Sequence, residues 1–142
     1  MQQLLHFVSG HWELFLALAV ICILLIYQTF GTVGGGKSVD PQEAIRMINH
    51  EQAVVLDVRE PGEVKTGKIL GSISIPLAQL EKQMDKLQQH KAAPIIVVCQ
   101  SGGRSSRACS ILRKQGFESV YNLRGGIMAW TSTGLPLSKK GA

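Results

Sequence analysis

Cys99 is the residue in this chain best placed to do chemistry. It ends the apolar run Ile95-Ile96-Val97-Val98 and opens Gln100-Ser101-Gly102-Gly103-Arg104, which leads into a helix read from Ser105 to Gln115. Two glycines allow a turn in which successive backbone N–H groups point inward, and the helix start adds partial positive charge. Arg104 contributes a full charge and a planar donor fork, with Arg107 one turn further on. A thiol in such a loop has a depressed pKa, and the same donors stabilise a thiolate or persulfide anion. The bland alternative is an inert strand-end cysteine. The coincidence of strand, cysteine, glycine pair, arginine and helix start favours the chemical reading.

The other cysteines do not join it. Cys22 lies in an apolar stretch and Cys109 falls toward the buried side of the helix, with a minor alternative as a resolving thiol. Three cysteines without a C-x-x-C pair form no closed disulfide framework and fit a reducing compartment. His6, His11, His50 and His90 are far from the cysteines in sequence, so no metal site is expected.

Alternating elements must position the loop. Asp40-Pro41-Gln42-Glu43 combines an N-cap acid, a first-turn proline and a glutamate, and so starts a helix with Ala44, Ile45 and Ile48 on its apolar face. Ala53 to Leu56, Ile73 to Ile75, Ile95 to Val98 and Val120 to Leu123 read as short buried strands. Leu77, Leu80, Met84 and Leu87 recur at helical spacing, and a short helix is expected around Ile127 to Thr131. Strands alternating with helices imply an α/β domain whose parallel sheet is covered on both faces, with ligands bound at the carboxyl ends of the strands.

Charge is segregated along the chain. All 15 Lys and Arg follow Phe30, against 9 of the 10 acids, since only Glu13 precedes it; this gives +6 after Phe30 and −1 before it. The excess favours anionic ligands or an anionic membrane surface. The bases are scattered and lack aromatic interleaving, so no nucleic-acid partner is expected. Trp12 to Phe30 is apolar enough to span, at ~28 Å against a ~30 Å hydrocarbon core. It lacks the basic start and small-residue cleavage pattern of a signal peptide. The expected organisation is a transmembrane anchor at 1–30, a Gly-rich linker at 31–37, a catalytic domain at 38–137 and a short basic tail at 138–142. The basic side stays cytoplasmic by the positive-inside rule.

Residues 38–137 also resemble a rhodanese domain. The resemblance rests on Leu56-Asp57-Val58-Arg59-Glu60, Gly67-Lys68-Ile69-Leu70-Gly71-Ser72-Ile73, Ile75-Pro76, Cys99-Gln100-Ser101-Gly102-Gly103-Arg104-Ser105 and Tyr121-Asn122-Leu123-Arg124-Gly125-Gly126, through Trp130, Gly134 and Pro136, all in the family's order. It implies a sulfurtransferase without metal or organic cofactor. Cys99 would accept sulfur from a small anionic donor such as thiosulfate and pass it to an acceptor thiol borne by another protein. Backbone groups from Gln100, Ser101, Gly102, Gly103 and Ser105 would stabilise the persulfide, and Arg104 would orient the donor. Lys68 stands where the family usually has histidine. The C-x4-R loop is one residue shorter than in rhodanese-like phosphatases and arsenate-reducing relatives, which favours sulfur transfer over those activities. A non-catalytic membrane adaptor is the remaining rival. Asp57, Arg59, Gly125, Gly126 and Trp130 read as structural.

Overall fold

The computed structural model describes residues 1–3, 7, 10–31 and 36–139. Two compact units divide at Gly35 and Gly36. The first holds helix α1 (Trp12–Gly31), whose described side chains, Trp12 to Ile26, are exposed. Among the described residues no helix is long and apolar enough to cross a membrane, so the expected spanning anchor finds no support there. Most of the expected linker, 32–35, and the end of the expected tail, 140–142, lie outside the described residues.

The second unit is a five-stranded sheet with every neighbouring pair parallel, in the order β1-β5-β4-β2-β3. Its strands are β1 (Ser38–Val39), β2 (Val54–Asp57), β3 (Ile73–Ser74), β4 (Ile95–Val98) and β5 (Val120–Leu123). Strand β4 lies at the centre, and all four of its residues are buried. Because successive side chains of a strand point to opposite faces, the apolar run feeds two separate cores. Ile95 and Val97 join Leu56, Leu80, Leu87, Ala108 and Leu112 on one face. Ile96 and Val98 join Val55, Ala44, Met47, Ile127 and Trp130 on the other. The first face is covered by helix α4 (Gly103–Lys114) and two 3₁₀ segments, Leu77–Gln79 and Met84–His90, and the second by α2 (Pro41–His50) and α5 (Gly126–Ser132).

The α/β architecture with a parallel sheet is as expected, and three details differ. Leu77 to Leu87 buries Leu80, Met84 and Leu87 from 3₁₀ turns, not from an α-helix. The short helix α3 (Pro61–Val64) and strand β1 are too brief to leave a periodic signal. Asp40 takes the N-cap position of α2, but its side chain makes no cap bond, because it meets the Arg124 guanidinium at 2.7 Å.

Candidate active site

Strand β4 delivers Cys99 to the carboxyl edge of the sheet, and the chain turns at once into α4. The turn depends on Gly102, which has φ +113 as the helix N-cap, a conformation that side-chain-bearing residues rarely adopt. This lets α4 begin at Gly103, two residues earlier than its sequence indicates, and puts Arg104 in the first turn.

The Cys99 sulfur meets polar groups, although the residue is only 1% exposed and belongs to the core of the first face. Gly102 N–H donates to Sγ at 3.0 Å, and Ser105 Oγ lies 3.4 Å from it. Burial pushes the thiol pKa up. The Ser105 hydroxyl and the amides of Ser105, Gly102 and Ser101 pull it down and prevail, so it lies below the ordinary value of 9.0. Cys109, on the buried side of α4, has no such ring, and burial raises its thiol to about 12.

Not every expected loop residue turns toward the sulfur. Ser101, Gly102 and Ser105 do so; Gly103 opens α4. The loop is instead seated from behind by α5, where Ile127 N–H donates to the Cys99 carbonyl at 2.9 Å and Met128 N–H to the Gln100 carbonyl at 3.2 Å. Gly126 makes this approach possible. A Cβ there would lie 2.4 Å from the Cys99 carbonyl oxygen, and its φ is +58.

Arg104 does not hold its fork open for an anion, as its sequence context implied. Its two terminal nitrogens each meet a Glu63 carboxylate oxygen at 2.7 Å. Glu63, on α3, is further fixed by accepting the Glu60 N–H at 2.9 Å in a reciprocal capping box. The Arg104 bonds, then the Glu60 amide, lower its carboxyl to about 2, and the Arg104 pKa is raised. The sequence reading did not single out Glu63; its available signal was the cap spacing of Glu60 and Glu63 around Pro61. Asn122 was likewise not singled out beyond the motif. From β5 it accepts from the Ser105 hydroxyl and donates to the Gly102 carbonyl.

Asp57 and Arg59 pair with one another, at 0% and 2% side-chain exposure. Arg59 also donates to the Gly67 carbonyl at 2.7 Å, tying the end of β2 to the turn before β3. Lys68 Nζ donates to the Ser72 carbonyl at 3.3 Å, and its backbone forms an antiparallel bridge with Ser138. Among the described residues no three His, Cys, Asp or Glu side chains gather as a metal site.

Comparison with known proteins agrees with this geometry. The chain is 33% identical over 139 residues to the uncharacterized protein YibN of Escherichia coli (strain K12), covering 96% of this chain and 97% of that one. It is 35% identical over 92 residues to a sulfurtransferase of Allochromatium vinosum, covering 65% of this chain and 84% of the relative. The crystal structure of a rhodanese-related protein from Thermoplasma volcanium superposes with a TM-score of 0.67 at 31% identity, covering 73% of this chain and 99% of that one. Residues 40–133, from the N-cap of α2 past the end of α5, match the rhodanese-like domain, and the chain belongs to that family.

Proposed function

We propose that this chain is a sulfurtransferase that carries sulfur as a persulfide on Cys99. The Cys99 thiolate attacks the outer sulfur of thiosulfate or a similar anionic donor. A sulfur–sulfur bond forms on the enzyme as the donor's breaks, and sulfite leaves with the electron pair. An acceptor thiolate, or cyanide in a laboratory assay, then takes the outer sulfur and returns Cys99 to the thiolate. No metal or organic cofactor enters this scheme.

The observation that carries the reading is the 3.0 Å contact from Gly102 N–H to Cys99 Sγ, with the Ser105 hydroxyl 3.4 Å away. The Gly102 amide, fixed in place before reaction, stabilises the anion without reorganising. Gln100, Ser101 and Gly103 are exposed around the buried sulfur, which gives a donor its approach over the loop. The sulfurtransferase name of the Allochromatium relative agrees with this assignment.

The reading extends to the first thirty residues as a single-pass membrane anchor with the catalytic domain on the cytoplasmic side. It rests on the sequence alone, on the unbroken apolar run Leu14 to Tyr27 and the confinement of all 15 bases to the chain after Phe30. Carbonate extraction of membranes tests it, and release of the chain into the wash would remove the anchor.

Thiosulfate:cyanide transfer by the full chain tests the chemistry. Cys99→Ala abolishes turnover, and intact mass after donor exposure shows one added sulfur on Cys99. Turnover that survives the substitution would rule out Cys99 as the carrier, and no added sulfur with any donor would return the domain to a non-catalytic docking role.

A further inference from the structure

We propose that Asn122 is a positioning residue for the chemistry of Cys99, because it determines where the single proton of the Ser105 hydroxyl points. The inference rests on Cys99 being the sulfur carrier. It places a residue of the neighbouring strand β5 behind the donors that face the sulfur.

The Ser105 oxygen lies among three possible acceptors: Asn122 Oδ1 at 2.5 Å, the Gly102 carbonyl at 3.1 Å and Cys99 Sγ at 3.4 Å. A hydroxyl has one proton to donate. The orientation of the Asn122 amide follows from its other end, where the nitrogen lies 3.3 Å from the Gly102 carbonyl. That carbonyl accepts only, so the amide nitrogen faces it and Oδ1 faces Ser105. Oδ1 also accepts only, and at the shortest of the three distances it takes the hydroxyl proton.

Ser105 then presents lone pairs to the sulfur. This suits a thiol, whose S–H donates to Ser105; the hydroxyl favours the anion only once its proton turns to the sulfur. When Cys99 becomes a thiolate or persulfide, the hydroxyl must swing its proton from Asn122 to sulfur before it acts as a donor. Asn122 therefore competes with the sulfur anion for one hydrogen bond. Through its bond to the Gly102 carbonyl it also steadies the residue whose N–H reaches Sγ.

Among the described residues, Arg104, paired with Glu63 and near Glu60, and Cys109 interact electrostatically with Cys99. Their bonds do not run through Ser105 or Asn122, so the effect of the amide can be separated from theirs by a double-mutant cycle.

The test is the pH dependence of Cys99 alkylation by iodoacetamide in the full chain, followed by the mass of the Cys99 peptide. Asn122→Ala is expected to accelerate alkylation below the thiol midpoint ~3- to 10-fold, relative to its effect in a Ser105→Ala background. Equal effects in the two backgrounds would mean that Asn122 acts only by bracing the loop, and the proposal fails. Should Asn122→Ala not fold, as judged by circular dichroism, Asn122→Asp replaces it. That variant keeps an acceptor for Ser105, and its slowing of alkylation is expected to be larger with Ser105 present than in Ser105→Ala; equal slowing overturns the idea. Alkylation requires no sulfur donor, so absence of a persulfide would sink the sulfurtransferase reading without touching this result.

Discussion

Arg104 and Glu63, 41 residues apart in sequence, form a two-pronged ion pair beside the Cys99 loop, both prongs at 2.7 Å. The Arg104 guanidinium, which interacts electrostatically with Cys99, is thus matched by a carboxylate before any donor arrives. An incoming dianion must share Arg104 with Glu63 or displace it.

Removing one member of the pair is therefore expected to hurt more than removing both. Arg104→Ala leaves the Glu63 carboxylate unmatched near a sulfur that must become an anion, and single-turnover sulfur loading is expected to fall at least about tenfold. Adding Glu63→Gln to Arg104→Ala removes the unmatched charge and should recover part of the loss. A double variant as slow as or slower than the single one contradicts this account.

The ionisation states of the site give a pH prediction. Cys99 titrates below 9.0, so half-maximal alkylation at Cys99 is expected below that pH, whereas Cys109, at about 12, remains unmodified in the folded chain. Glu63 is lowered to about 2 from an ordinary 4.5. Its folded value is the depressed one, so its stabilising contribution is complete above 4.5 and is lost as the pH falls toward 2. The Arg104 clamp should consequently persist at pH 4.5, measured as an unchanged Glu63→Gln to parent ratio of alkylation rates, each normalised to its thiolate fraction, from pH 7 down to pH 4.

Gly126→Ala tests the rear support of the loop. The substitution forces a Cβ to within 2.4 Å of the Cys99 carbonyl in a left-handed conformation, so either α5 or the loop must move. A loss of roughly 1–3 kcal/mol in urea unfolding is expected, together with slower sulfur loading. Wild-type stability and rate would show that the two backbones are not locked together.

Asp57 and Arg59 form the buried pair beneath the site. Asp57→Ala leaves a guanidinium with no matching charge in the interior and is expected to cost roughly 3–5 kcal/mol by chemical denaturation. Asp57→Ala with Arg59→Met should cost less than Asp57→Ala alone.

Sequence and structure agree most closely where one local rule decides the outcome. Ile95 to Val98 is buried on both faces and leads directly to Cys99, so its apolar continuity marked both strand and site. The start of α4 was placed late because its N-cap is a left-handed glycine, whereas the expected helix began at a serine. Leu77 to Leu87 has a spacing that 3₁₀ turns can bury as well as an α-helix can. Glu63 and Asn122 became visible only through tertiary structure: the first meets an arginine 41 residues away, and the second reaches back 17 residues to Ser105. Arg104 looked like a free cation because its partner lies on a four-residue helix with no periodic signature.

The strand order has a bearing on biosynthesis. A chain extended from the ribosome only as far as Lys114 already contains the nucleophile and its helix, but it lacks Asn122 and the α5 amides that seat the Cys99 and Gln100 carbonyls. The last-made strand, β5, enters between the first and the central one. The Cys99 loop is thus seated only by residues made after it, and until they arrive its carbonyls lack the amides that hold them.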